Sequence, residues 1–255
     1  MTNKEMLCTA LKQSALELNC TVDDLTGGKS KAVISSTAEG ARKYLSLPFY
    51  CQLVSYGSGI VASVNEEIYA DAKAYIEKYA PEHCFETPNM LVLQSALERR
   101  GMSACFMAEY WLCDTDAIRM IDCSYELRLL TAEDFAPLYT PQWSNALCEK
   151  RKELDVLGIG AYDGEKLVGL AGCSADCESM WQIGVDVLPE YRRRGIASAV
   201  TGRLAAEIMA RGKVPFYCCA WSNVASARNA IRAGFRPAWV ELTAKSAEYT
   251  ADMNK

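Results

Sequence analysis

The chain has 255 residues, of which 50% are hydrophobic and 23% are charged, with a formal net charge of −5. This composition excludes a disordered or fibrous protein, because it supplies enough apolar side chains for one large core or two smaller ones. The negative charge argues against general nucleic-acid binding, which needs an electropositive face to displace counterions from phosphates.

Membrane and metal functions are not expected either. Polar residues interrupt every apolar stretch, including residues 45–64, before it reaches the roughly 20 residues that a membrane-spanning helix needs. The twelve cysteines are too few for a disulfide scaffold, and the polar residues after Met1 do not resemble a secretory leader. We therefore expect a soluble, reduced, cytoplasmic protein. With a single His and no C-x-x-C pair, no metal site is predicted.

The first 120 residues predict a small α/β domain. Apolar side chains recur at three- and four-residue steps near the start, and short apolar runs bounded by turn residues follow. In chain order the pattern predicts a helix over residues 4–18, strands over 32–34, 51–54 and 60–64, helices over 66–79 and 88–100, and a strand over 104–112.

The order of elements changes after about residue 120, so we place a domain boundary there and expect a second domain over residues 121–255. Asp163-Gly164 is typical of a tight hairpin turn between two strands. The predicted elements of this domain are a strand at 126–130, a helix at 133–150, strands at 157–162, 166–173 and 181–187, a helix at 195–210, a strand at 214–220, a helix at 226–233 and a strand at 238–242.

Three partial motifs do not carry a function. Gly28-Lys29-Ser30 lacks the earlier glycine of a nucleotide P-loop, because position 23 is Asp. Gly158-Ile159-Gly160 lacks the third glycine of a dinucleotide fingerprint. A Ser or Cys triad would have to use His83, the single histidine, and a lone histidine near a helix end is more often a cap or a core residue.

One segment has a pattern with a chemical meaning, a strand that leads through a basic turn into a helix. The strand ends at Pro189, arginines occupy positions 192–194, and the helix begins at Gly195 with Ala197 and Ser198 in its first turn. Amides at a helix start lack carbonyl partners and the helix dipole adds positive potential, so a phosphate is the expected guest. The alternative is a solvated basic turn before an ordinary core helix.

Arg192-x-x-Gly195-x-Ala197 after a V-x-V strand resembles the acyl-CoA-binding signature Q/R-x-x-G-x-G/A of the GNAT superfamily of N-acetyltransferases. That family's later pattern of an Asn, a small residue and Gly-Phe is matched by Asn223, Ser226 and Gly234-Phe235. The resemblance covers about residues 123–242 and is greatest to bacterial members with an extra N-terminal domain. It implies a GNAT fold, a mixed and mostly antiparallel sheet flanked by helices, beside a smaller N-terminal α/β domain.

The resemblance also implies acetyl-CoA as co-substrate. The strands at 181–187 and 214–220 are expected to separate at their carboxyl ends, so that the amide-like pantetheine arm pairs there as a surrogate strand. The residues expected to bind the cofactor are Val185, Asp186, Val187, Arg192, Arg193, Arg194, Gly195, Ile196, Ala197, Ser198 and Asn223. Arg228 and Arg232, four apart on one helical face, either meet the nucleotide's phosphates or form a solvated face.

Acetyl transfer to an amine needs a neutral amine and stabilisation of the developing oxyanion. Backbone amides of residues 184–187 are expected to serve the oxyanion. The resemblance places a Glu near the start of the fourth strand, but this sequence has Trp181 there. We therefore take Asp176 and Glu178, just upstream, as candidates for the general base, with a plain strand connection as the alternative.

The proton donor to the departing thiolate also differs from the family pattern. The usual Tyr seven residues after the Asn is replaced by Ala230. Ser226 is our candidate for the missing donor, with Ser222, Tyr217 or a water molecule as alternatives. A thiol with a pKa of about 8.5 leaves tolerably well as its anion, so turnover does not require a donor.

The acceptor is expected to be a small-molecule or peptide amine, acetylated by direct attack. Its site would combine the helix at 133–150 with parts of the N-terminal domain, which either shapes the pocket or mediates homodimer formation. Tyr139, Trp143 and Trp221 either line that site or belong to the core. The alternative function is a non-catalytic acyl-CoA-binding or sensing protein, because Trp181 and Ala230 stand where catalytic side chains are usual.

Overall fold

A computed structural model describes all 255 residues. The α-helices are α1 (Asn3–Leu18), α2 (Val22–Thr26), α3 (Tyr69–Lys78), α4 (Thr87–Glu98), α5 (Ile196–Ala210), α6 (Val224–Arg232) and α7 (Ala247–Asp252). The strands are β1 (Lys31–Ile34), β2 (Cys51–Ser55), β3 (Val61–Val64), β4 (Met102–Cys113), β5 (Glu126–Thr131), β6 (Asp155–Asp163), β7 (Lys166–Ser174), β8 (Met180–Val187), β9 (Val214–Ala220) and β10 (Phe235–Ser246). Apart from α2, α7 and the segment after β5, these elements match the predicted ones to within a few residues.

The predicted helix over residues 133–150 is wrong. The segment forms four short 3-10 turns, Ala132–Asp134, Ala136–Leu138, Pro141–Trp143 and Glu149–Leu154. Thr131 starts the first turn, since its amide donates to the Asp134 carboxylate at 2.8 Å. Pro137 and Pro141 then end any helix, because proline lacks the amide donor and disfavours helical geometry in the residue before it.

The chain forms two compact units, and each takes residues from two parts of the sequence. The first unit contains Met1–Thr9 and Trp111–Pro237, and the second contains Ala10–Tyr110 and Ala238–Lys255. The predicted boundary at residue 120 therefore falls inside the first unit. The Asn3 side-chain amide donates to the Asp114 carboxylate at 2.7 Å, which ties the start of the chain to this unit.

The first unit has a sheet of mixed direction, in which β5, β6, β7 and β8 pair antiparallel and β8 pairs parallel with β9. The polypeptide at Asn145–Ala146 packs directly on this sheet. A Cβ added at Gly184 would lie 1.8 Å from the Asn145 carbonyl oxygen, and one at Gly172 would lie 2.2 Å from that of Ala146. Glycine is therefore required at both positions.

In the second unit, β1 pairs parallel with β3, and β2 pairs antiparallel with both β3 and β10. Its interior contains a charge cluster, because Arg42 is only 4% exposed and contacts Glu17 at 2.7 Å and Glu241 at 2.9 Å. The Trp239 indole donates to the same Glu241 carboxylate at 2.7 Å. Arg42 is thus buried together with the carboxylates that compensate its charge.

The predicted mixed α/β fold, with a mostly antiparallel sheet and flanking helices, is confirmed.

Three further findings concern the whole chain. None of its helices is both long enough and apolar enough to cross a bilayer. No group of three or more His, Cys, Asp or Glu side chains is placed to hold a metal ion. None of the twelve cysteines forms a disulfide, and half of them are buried.

Candidate active site

The strands β8 and β9 separate at their carboxyl ends. Their parallel pairing runs from Met180 opposite Val214 to Ile183 opposite Tyr217 and then stops. Strand β8 continues to Val187 and β9 to Ala220 without pairing to each other. A gap therefore opens between the two strands beyond Ile183 and Tyr217.

Alternation of backbone direction decides which groups of β8 face this gap. The Leu188 amide donates to the Val168 carbonyl at 3.0 Å, on the side of β7. Because amides of successive residues in a strand point to opposite edges, those of Val185 and Val187 point toward the gap, whereas that of Asp186 points toward β7. Of the three β8 residues expected to bind the cofactor, Val185 and Val187 thus present free amides.

The Asp186 side chain has a different task. Its carboxylate accepts hydrogen bonds from the Asn145 amide at 2.8 Å, the Asn145 side chain at 2.7 Å and the Ala146 amide at 3.0 Å. Both carboxylate oxygens are thereby occupied. Asp186 positions the Asn145–Ala146 segment over β8, a contact between distant parts of the sequence that no local pattern indicates.

A cavity of about 700 Å³ occupies the gap. Its lining includes the end of β8, the end of β9 and the start of α6, which share exposed backbone and small or polar side chains. Among these residues are Gly184, Val185, Asp186, Val187, Arg192, Arg193, Ala197, Tyr217, Cys218, Asn223 and Ser226. The gap is thus bordered by residues from both sequence motifs.

The basic turn lies at one end of this cavity. Gly195 is left-handed with φ +82° and directly precedes α5, a conformation that favours glycine. Arg193 is also left-handed, with φ +64°. The first amides of α5 have no carbonyl partner within the helix, so they can bind an anion. A second hollow of about 350 Å³ lies against Gly195, Ile196, Ala197 and Ser198.

The three consecutive arginines take different directions. The Arg192 guanidinium donates to the Val187 carbonyl at 3.1 Å, and Arg192 and Arg193 line both hollows. The Arg194 guanidinium instead donates to the Tyr125 hydroxyl at 2.7 Å and lies over the Tyr191 ring. Arg194 lines neither hollow, because its side chain is held on the far side of the turn.

Two hydroxyl groups meet in the cavity wall. The Ser226 Oγ lies 2.7 Å from the Tyr217 Oη, and Tyr217 is only 3% exposed. Burial raises the pKa of Tyr217, so its phenol keeps its proton at neutral pH. The Asn223 side chain accepts a hydrogen bond from the Ser226 amide at 3.1 Å and so caps α6. Tyr217 and Ser226 thus form a hydrogen-bonded pair beside the gap.

The two carboxylates expected as general bases lie elsewhere. Asp176 and Glu178 belong to the connection that precedes β8, at the end of this strand opposite to the gap, and neither lines the cavity. Asp176 is 1% exposed and pairs with Arg151 at 3.1 Å, whereas Glu178 is exposed. Their catalytic role stays a prediction, and their place gives it no support.

The aromatic residues considered for the acceptor site also separate. Trp143 is buried and lines a third cavity of about 680 Å³ together with Leu138, Asp186 and Arg192. The Tyr139 hydroxyl contacts the Asp155 carboxylate at 3.3 Å and lines none of the three cavities. The third cavity adjoins the gap, since both include Asp186 and Val187.

Sequence reasoning missed one pair and left another undecided. The Gln182 side-chain amide donates to the Cys218 Sγ at 3.1 Å across β8 and β9, and the alternation of strand side chains was the signal that could have found it. Arg228 and Arg232, for which the sequence allowed either phosphate contact or a solvated face, line the second hollow opposite the start of α5. Ala230, where the family pattern has a tyrosine, is fully buried.

Comparison with known proteins gives one family match. A family model described as GNAT acetyltransferase matches residues 108–238, just over half of the chain. No curated protein matches the sequence significantly.

Solved structures are similar at low identity. A protein of Novosphingobium aromaticivorans described as a GNAT-family acetyltransferase is 21% identical with a TM-score of 0.43, over 56% of this chain and 66% of that one, just under two thirds of its length. A GNAT-family acetyltransferase from Colwellia psychrerythraea is 15% identical with a TM-score of 0.45, over 72% and 76% of the chains. The yncA protein of Salmonella typhimurium, solved with its cofactor acetyl-CoA, is 17% identical with a TM-score of 0.35, over 49% and 94%. On the extent of the family-model match, this chain belongs to the GNAT acetyltransferase family.

Proposed function

We propose that this protein transfers the acetyl group of acetyl-CoA to a primary amine by direct attack of the amine on the thioester. The observation that carries the proposal is the gap between β8 and β9, which opens beyond Ile183 and Tyr217 and leads to the anion-binding start of α5. A thioester on an extended, amide-containing arm that ends in a diphosphate fits this combination of an unpaired strand edge and a helix start.

Binding of acetyl-CoA follows from the two parts of the site. The pantetheine arm would pair with the free edge of β8 at the Val187 amide, which leaves the Val185 amide, farther from α5, for the thioester carbonyl. The diphosphate would lie on the amides from Arg193 to Ser198, with the Arg192 and Arg193 side chains beside it. Asn223 would support this site by fixing the start of α6 rather than by reaching the arm, since its side-chain oxygen already caps the helix.

Acetyl transfer consists of attack by the amine, loss of the thiolate and protonation of the sulfur. The amine nitrogen forms a bond to the acetyl carbon, and the carbonyl oxygen becomes an oxyanion that the β8 amides facing the gap stabilise. The carbon–sulfur bond then breaks, and its electron pair goes to sulfur. Ser226 gives its proton to that thiolate and regains one from Tyr217, which burial keeps protonated at neutral pH. The Tyr217 phenolate then takes up a proton from solvent, which balances the proton that the amine releases to water.

Deprotonation of the amine would proceed through water. Asp186 is the one carboxylate in the cavity lining, and three hydrogen bonds occupy its oxygens. A base pathway through ordered water, with the bulk solvent as the final acceptor, requires no side-chain carboxylate at the amine. The acceptor would approach from the third cavity, where Trp143 and Leu138 supply an apolar wall.

The first experiment measures acetyl-CoA affinity by calorimetry for Gly195→Glu. Gly164→Glu is a matched control, since Gly164 is also left-handed, at φ +62°, and open space surrounds a Cβ at either position. We expect the change at Gly195 to weaken binding by about tenfold or more, because a carboxylate would face the diphosphate at close range. Equal affinities for both variants and the unaltered protein would contradict the site.

The second candidate function, a non-catalytic acyl-CoA sensor, is favoured by one observation, the buried Ala230 in place of the family's tyrosine. The two functions separate when thiol release from acetyl-CoA is followed in the presence of a panel of small amines and peptide amines. Release with any amine supports the transferase. Binding of acetyl-CoA without release against every amine supports the sensor. We place either function in the cytoplasm, because thiols stay reduced there and acetyl-CoA is available.

A further inference from the structure

The second hollow, of about 350 Å³, has an unusual set of charges for a chain of net charge −5. Four arginines line it, Arg192, Arg193, Arg228 and Arg232, and no carboxylate does. Arg192 and Arg193 belong to the turn before α5, whereas Arg228 and Arg232 belong to α6. The hollow thus has a cationic wall on each side, contributed by separate elements.

None of these four arginines has an ion-pair partner. All four are exposed and contact no carboxylate, although most other arginines of the chain do. Arginines close to one another without a counterion repel, so they are expected to accept an anion readily. The hollow therefore favours a ligand that carries several negative charges.

The two helices hold these walls at a set distance. The Ser198 hydroxyl of α5 donates to the Asn229 side chain of α6 at 3.1 Å, and Asn229 donates in turn to the Thr201 hydroxyl at 3.2 Å. Arg228 and Arg232 are four residues apart, so they project from one face of α6. Because Asn229 lies on the same pocket wall as both, the α5–α6 contact keeps the two guanidinium groups opposite the start of α5.

We propose that Arg228 and Arg232 bind a phosphate of coenzyme A other than its diphosphate, namely the 3′-phosphate on the ribose. These arginines would make the site selective for CoA over 3′-dephospho-CoA. The inference rests on the proposed use of acetyl-CoA. If the diphosphate occupies the amides of α5, the ribose that carries it lies next to α6. A phosphate monoester there adds a charge of about −1.5 to −2, which two unpaired arginines can neutralise.

The test compares binding of CoA and 3′-dephospho-CoA by calorimetry, in the intact protein and in the double variant Arg228→Gln/Arg232→Gln. We expect the intact protein to bind CoA about tenfold more tightly than dephospho-CoA, and the double variant to bind both alike. Its affinity for dephospho-CoA should match that of the intact protein. Arg119→Gln, an exposed arginine of the same unit outside all three cavities, controls for the loss of positive charge.

Each result has a defined meaning. An intact protein that binds CoA and dephospho-CoA equally overturns the inference and leaves the proposed function standing, and this measurement does not depend on whether the variant folds. A double variant that loses affinity for both ligands in equal proportion overturns it too, because that pattern indicates general charge attraction. An intact protein that binds neither ligand overturns the proposed function itself, and the inference with it. Displacement of CoA by adenosine 3′,5′-bisphosphate at a lower concentration than AMP requires would give independent support.

Discussion

The hydroxyl of Ser226 lies 2.7 Å from the hydroxyl of Tyr217, in the wall of the gap between β8 and β9. Neither residue is at the family's usual position for a proton donor, which Ala230 occupies. A serine hydroxyl alone is a poor acid, but one that is re-protonated by a buried phenol can pass a proton to the departing sulfur. We propose this pair as a local replacement for the missing side chain.

If the pair supplies the proton, Ser226→Ala and Tyr217→Phe should each lower kcat by about tenfold to 100-fold while the KM for acetyl-CoA changes little. The loss should shrink with a thioester whose thiol has a lower pKa, because that thiolate leaves without help. Steady-state kinetics with acetyl-CoA and with a thioester of a more acidic thiol measure this difference. Tyr162→Phe, a half-buried tyrosine outside the cavity, serves as control. Undiminished kcat in both variants would assign the donor role to water.

Gly184→Ala should destabilise the protein by about 1–3 kcal/mol, because the added methyl group would overlap the Asn145 carbonyl and push its segment off the sheet. Denaturant unfolding measures the change. Gly202→Ala in α5 is the control, since its Cβ would make only ordinary contacts, the nearest at 3.4 Å. That substitution should be neutral or slightly stabilising. Similar stabilities for both variants would mean that the Asn145 segment yields without cost.

Arg42→Met should destabilise the protein by about 3–5 kcal/mol, because it leaves the Glu17 and Glu241 carboxylates buried without their cation. Lys73→Met removes a cation from the exposed pair with Glu77 and should cost less than about 1 kcal/mol. Adding Glu17→Gln and Glu241→Gln to the Arg42 variant should recover part of the loss. Chemical denaturation of the unaltered protein and the three variants gives these free energies of unfolding. No recovery in the triple variant would show that packing rather than charge decides the cost.

Asp155 predicts a pH dependence of stability. Burial raises the pKa of its carboxyl to about 6, against the hydrogen bonds from the Cys148 amide and the Tyr139 hydroxyl, which lower it. The unfolded chain releases this proton near pH 4. Between about pH 4 and pH 6 the folded state therefore binds more protons than the unfolded state, so the free energy of unfolding falls as the pH rises through this window.

Asp155→Asn should remove that contribution while keeping an acceptor for both hydrogen bonds. Its gain in stability over the unaltered protein should thus be larger at pH 7.5 than at pH 4, as measured by urea unfolding at the two values. Glu133→Gln, an exposed carboxyl of the same unit, should show no such difference. An Asp155 variant that is equally stabilised, or destabilised, at both pH values would contradict the raised pKa.

Much of the candidate site was predictable from local sequence. Pro189, the arginines at 192–194 and Gly195 mark the end of a strand, a turn and a helix start within one short segment, because the hydrogen bonds of such a turn join near neighbours. The helix expected over residues 133–150 does not form, because Pro137 and Pro141 lack the amide donors that a continuous helix needs.

The sequence by itself determined the secondary structure around the basic turn and, through its motifs, the family. Only the tertiary structure decided that Asp176 and Glu178 lie at the end of β8 away from the gap, that Arg194 turns to Tyr125, and that Arg228 and Arg232 face the start of α5. The physical reason is the range of the interactions. Helix starts and turns depend on hydrogen bonds between near neighbours, whereas the direction of a side chain at the site depends on pairing between strands and helices that are distant along the chain.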